Sequence, residues 1–110
     1  AARSTWRAAE DRYADTLELV AEQARNAWSD IETARENAAF LNNQANISAE
    51  FLDLARREWQ LGQRTLLEIL AGETALINAN SDAAAAETSV DVAIFSLLSI
   101  MGELEVDLLR

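Results

Sequence analysis

Apolar residues recur along this chain at alternating spacings of three and four, and between residues 13 and 59 the alternation never slips. One seam position falls at Leu17, Ala24, Ile31, Ala38, Ala45, Leu52 and Trp59. The other falls at Trp6, Tyr13, Val20, Ala27, Ala34, Leu41, Ser48 and Ala55. A mean period of 3.5 is the heptad repeat by which two helices keep one stripe turned toward each other. Residues 69–104 repeat the pattern. Ile69, Leu76, Ala83, Val90, Leu97 and Leu104 hold one seam position, and Gly72, Ala79, Ala86, Ala93 and Ile100 the other. No proline interrupts either run. Many seam residues are alanine, so the two helices can approach closely.

The break between the runs is short. Gly62 suits the left-handed residue just past a helix end. Thr65-Leu66-Leu67-Glu68 has the spacing of a capping box, in which a hydroxyl accepts the amide three residues on and the acid reaches back. The sequence therefore predicts helix one over 3–61, a turn at 62–64 and helix two over 65–108. So short a connection makes the helices antiparallel neighbours. The expected fold is all-α: a single domain over 1–110, formed as a long antiparallel two-helix coiled-coil hairpin. Counting outward from the turn, facing residue numbers sum to about 126. Arg110 is then opposite Asp15 or Thr16, and the first fourteen or so residues, with Trp6 and Tyr13, overhang.

A second stripe sits on the face of helix one away from the seam: Leu19, Phe40, Ile47, Leu54 and Leu61, all at multiples of seven. A hairpin buries one side of a helix, so this stripe is either scattered surface apolarity or the seat of another neighbour. Charge is uneven as well. The stretch 65–109 holds eight acids and no base. Such a wall is either a solvated face or the lining of an aqueous passage that favours cations.

Composition removes several function classes. The chain has no Cys or His, and all nine of its basic residues are Arg. Disulfide frameworks, zinc fingers, histidine-ligated metals and Ser-His-Asp or Cys-His catalysis are excluded. A net charge of −10 leaves no basic patch for nucleic acid. With 50% apolar residues the chain is too hydrophobic for a disordered one. No segment offers the roughly 20 uninterrupted apolar residues of a membrane span, since residues 90–101 are broken by Asp91, Ser96 and Ser99. The start, Ala1-Ala2-Arg3-Ser4, has neither Met nor the apolar stretch of a signal peptide and reads as a fragment or a processed product.

The turn and its flanks resemble a known family. Leu61-Gly62-Gln63-Arg64-Thr65-Leu66-Leu67-Glu68-Ile69-Leu70-Ala71-Gly72-Glu73 is similar to the G-x-R-T-x-x-D-V-L-D-A-E segment of the TolC family of outer-membrane efflux proteins. Leu76-Ile77-Asn78-Ala79 resembles its L-x-N-A. Leu97-Leu98-Ser99-Ile100-Met101-Gly102-Glu103-Leu104 resembles its closing L-L-x-x-x-G-x-L. Arg25-Asn26-Ala27-Trp28-Ser29-Asp30-Ile31 is similar to a segment of the family's descending helix. The likeness covers roughly residues 20–106.

The resemblance implies a homotrimer whose outer-membrane β-barrel continues into a helical tunnel across the periplasm of a Gram-negative bacterium. This chain looks like the second-repeat hairpin of that tunnel and is not itself membrane-spanning. Its partners are a periplasmic adaptor (membrane fusion) protein and an inner-membrane ABC or RND transporter. No cofactor, metal or catalysis is implied. By the same matching, Gly62, Gln63, Arg64 and Thr65 form the tip that the adaptor meets. Arg64 takes the place of an arginine that latches the closed entrance, Glu68 that of an acid ringing the constriction, and Trp59 lies near a tip aromatic. Two residues depart from the family pattern: Glu68 stands where Asp is usual, and Ala71 stands where a second acid is common. Read without the family, Glu68 is a helix cap, Arg64 a solvated turn residue and Trp59 a seam residue. Two other functions stay open on the residues alone. A scaffold or adaptor arm needs only the heptads. An enzyme has to rest on carboxylates alone, and their spacing brings none together.

Overall fold

A computed structural model describes residues 2–109, with the side chains of all but Asp107 and Leu108. The fold is the expected all-α hairpin. Helix α1 runs Ala2–Gln60 and helix α2 runs Leu66–Leu109, with no strand among the described residues. The helix ends fall within a residue of the expected ones, with Leu61 and Thr65 both in the turn. Arg110, and with it the expected pairing to Asp15 or Thr16, lies outside the described residues.

The reversal is built by backbone hydrogen bonds that the sequence order dictates. Gly62 has φ +78°. Its N–H donates to the Trp59 carbonyl at 2.9 Å, and the Gln63 N–H donates to the Glu58 carbonyl at 2.8 Å. This pair of bonds around a left-handed glycine is the Schellman ending, which satisfies carbonyls that a helix end leaves open. On the other side the Glu68 N–H donates to Thr65 Oγ1 at 3.3 Å, so Thr65 caps α2. A Cβ at position 62 touches nothing within 4 Å, so its only penalty is the backbone angle. Gly62→Ala is therefore expected to lower stability by about 1 kcal/mol in thermal unfolding, and Gly62→Asn by less.

Two compact units divide the chain, residues 32–91 and residues 1–31 with 92–110. In the unit that contains the turn, Ala38, Ala45, Leu52, Ala55, Ile69, Ala83 and Ala86 are buried. Each is an expected seam residue. Leu52, at 2% exposure, packs with Ala55 and Ile69, and half-buried Leu76 closes the cluster. Gly72 lets α2 approach here, since a Cβ on it sits 3.1 Å from Leu52 Cδ1. Two polar contacts flank the seam. Asn42 Nδ2 donates to Glu87 Oε1 at 3.1 Å, and Arg56 is paired with Glu73 at 3.0 Å. In the other unit Ala27 and Ile31 are buried, while Leu17, Val20, Ala24, Ala93, Leu97, Ile100 and Leu104 are half-buried. Trp6 and Tyr13 are exposed.

Trp59 departs from its assignment to the seam: it is 43% exposed. α1 ends one residue later, and α2 does not begin until Leu66, so little helix stands against it.

Helix α2 also departs from the sequence reading. Within Leu66–Val106 an 18-residue window reaches a mean hydropathy of 1.5, so α2 is long and apolar enough to cross a membrane by length and composition. A search for unbroken apolar runs overlooks it, because Asp91 and the serines interrupt runs without lowering the mean enough. Only 6% of that window is buried. Several polar side chains on α2 turn back on their own helix. Thr74, Thr88 and Ser89 donate to the carbonyls of Leu70, Ala84 and Ala85 at 3.0–3.1 Å. The outer surface of α2 is thus more apolar than its hydroxyl content suggests.

Candidate functional site

The tip gathers most of the expected site residues. Gly62 and Gln63 are exposed at the apex, and Thr65 is occupied as the cap of α2. Leu61, Leu66 and Leu67 surround them with exposed apolar surface. Trp59 lies one turn back on α1.

Arg64 is held within its own chain. Its Nε donates to Glu58 Oε2 at 2.5 Å, and a terminal nitrogen lies 3.5 Å from Glu68 Oε2. Its guanidinium carbon stands 5.1 Å from the centre of the Phe51 ring. The side chain is only 27% exposed. The hydrogen bond that Arg64 donates to Glu58, with the charge of Glu58 and Glu68, raises the Arg64 pKa further above its already high ordinary value. Arg64 is thus a fixed cation at every accessible pH. Glu68 serves two ends at once: its amide completes the cap on Thr65, and its carboxylate faces Arg64.

Sequence reasoning did not single out Glu58 or Phe51. Helical pairing rules look three and four residues away. Glu58 and Arg64 are six apart across a turn, and Phe51 is thirteen apart. The Gly62 reversal is what brings them together, so the signal existed only once the turn geometry was known.

An open cleft of about 480 Å³ includes this cluster, its lining formed by Ile47, Phe51, Ala71, Gly72 and Ala75 together with the polar residues Ser48, Arg64 and Glu68. Most of its exposed wall is apolar, so it suits an aliphatic or aromatic group. A shallower, more polar hollow of about 300 Å³ lies between Asn37, Asp82 and Ser89. Among the described residues no group of three or more acids is placed to hold a metal ion.

The second stripe is exposed along α1. Phe40, Ile47 and Leu54 are 59%, 51% and 52% exposed, and Leu19 and Leu61 are exposed with them. On α2 the residues Leu70, Ile77, Val92, Phe95, Leu98 and Met101 are exposed as well. An apolar surface of this extent on both helices is of the kind that marks interaction sites.

No family model matches the chain, and no match to it was found among curated proteins or solved structures.

Proposed function

We propose that this hairpin is a wall segment of a TolC-like export duct. In that reading three copies of the intact protein form a tunnel across the periplasm, and the turn at 61–65 is its inner end. The observation that carries the proposal is the second apolar stripe. Phe40, Ile47 and Leu54 lie exposed on α1 although the seam between α1 and α2 is already filled. A scaffold hairpin has no need of such a stripe, whereas a tube wall must bury both sides of each helix. The apolar surface of α2 is covered in the same way, by neighbouring hairpins and not by lipid. The likeness of residues 61–73 to the family tip supplies the orientation.

The role follows from the wall and involves no catalysis. The adaptor meets Gly62, Gln63, Arg64 and Thr65, and an inner-membrane ABC or RND transporter drives the cargo. Glu68 and Trp59 stand near the narrow end. The eight acids and absent bases of residues 65–109 leave a negative surface that favours cations in the passage.

Planar-bilayer recording of the intact channel tests this reading. Cation-selective conductance is expected. Arg64→Ser, which frees Glu58 and Glu68, is expected to raise the resting conductance several-fold, since about 1.4 kcal/mol shifts an open–closed equilibrium tenfold. A protein that inserts yet passes no ions, or prefers anions, contradicts the duct. A monomeric protein with no membrane association favours the scaffold instead.

A further inference from the structure

Arg64 has more partners than a solvated turn residue needs. Glu58 belongs to the last turn of α1, Glu68 to the first turn of α2, and Phe51 lies about two turns earlier on α1. One guanidinium reaches all three: its edge meets the two carboxylates, and the ring of Phe51 lies 5.1 Å from its centre. A lysine ammonium is a point charge and cannot satisfy two acids and a ring in fixed directions. The backbone around it has little other reinforcement. Gly62 and Gln63 are exposed, and their N–H groups depend on the Trp59 and Glu58 carbonyls.

We infer that Arg64 is an internal clasp, a positioning residue that fastens the end of α1 to the start of α2 and so fixes how Leu61, Gly62 and Gln63 are presented. It acts on the backbone through Glu58, whose side chain takes Arg64 while its carbonyl takes the Gln63 N–H. Removing the guanidinium frees that helix end to fray, and the apex loses its single orientation while the seam at Leu52 stays intact. This inference stands on the hairpin itself and does not depend on the export duct.

Hydrogen exchange of individual amides in the 110-residue chain, followed by NMR, tests it. In Arg64→Gln the Gln63 amide is expected to exchange three- to tenfold faster, roughly what a well-formed exposed ion pair contributes. Amides beside Leu52 and Ala83 keep their rates. Glu58→Gln is expected to reproduce the change, the double variant to add nothing, and Arg64→Lys to restore less than half of it. Should Arg64→Gln fail to fold, Glu58→Gln alone carries the test. Three results overturn the clasp: an unchanged Gln63 rate in either variant, effects that multiply in the double variant, or faster exchange spread evenly along both helices.

Discussion

Leu52→Ala is expected to lower the stability of the isolated chain by about 3 kcal/mol, with a fall of roughly 10–20 °C in the midpoint of thermal unfolding. Leu52 is the largest fully buried side chain among the described residues and the centre of the cluster with Ala55, Ile69 and Leu76. Its surroundings cannot collapse into the space it leaves. Ala55 and Gly72 are too small to fill it, and the rest of the seam is largely alanine. The loss therefore combines the transfer of three carbons with an unfilled cavity. Helix propensity is nearly equal for Leu and Ala, so it contributes little. Leu54→Ala is the internal control. It lies two residues away on the same helix but is half exposed, and it should change the isolated chain by less than about 0.5 kcal/mol. Far-UV circular dichroism during heating measures both. Equal effects at 52 and 54 would mean that the seam has been assigned to the wrong face.

The second large effect concerns assembly, with the fold left alone. Phe40→Glu combined with Ile47→Glu is expected to dissociate the intact protein into monomers while leaving its helical content unchanged. Each of these side chains contributes roughly 1.5–3 kcal/mol when it is taken out of water. Placing an unpaired carboxylate at the same contact adds a penalty of its own. The pair should weaken each contact between copies by at least about a hundredfold. Sedimentation velocity reads the outcome, and a persistent trimer at low concentration would place the contact on some other face.

These two positions also show what the sequence could and could not reveal. Leu52 was legible because a heptad is a local signal: alternating spacings of three and four single out one stripe without any knowledge of the partner. The observed burial of Ile31, Ala38, Ala45, Ile69 and Ala83 follows that stripe residue by residue. Gly62 was legible because few residues but glycine tolerate φ +78° at a helix end. The outer stripe at Phe40, Ile47 and Leu54 is legible as a stripe, but the periodicity of one chain does not say what meets it. Contacts between sequence-distant side chains were out of reach. Asn42 with Glu87 and Arg56 with Glu73 need the pairing of the helices, and Arg64 with Glu58 and Phe51 needs the turn. Trp59 was misplaced because periodicity continues to the last residue of a helix, whereas packing stops where the partner helix ends. The apolarity of α2 escapes a reading by unbroken runs because Asp91, Ser96 and Ser99 interrupt residues 90–101 without lowering the mean hydropathy of the helix enough to matter.

The central claim is that neighbouring copies cover the outer stripe of α1 in a tube. Because the 110 residues contain no cysteine, single substitutions report on one position within this chain at a time. The direct measurement is the rate of thiol modification at Phe40→Cys, Ile47→Cys and Leu54→Cys, each compared with Gln63→Cys at the apex. It is made on the intact assembled protein and on the isolated chain at low concentration. In the isolated chain all four are expected to react at similar rates, since all four positions are exposed. In the assembly the three stripe positions should be protected by at least tenfold, with Gln63→Cys still reactive when the adaptor is absent. Stripe thiols that react as fast as Gln63→Cys in the assembled protein would contradict the tube.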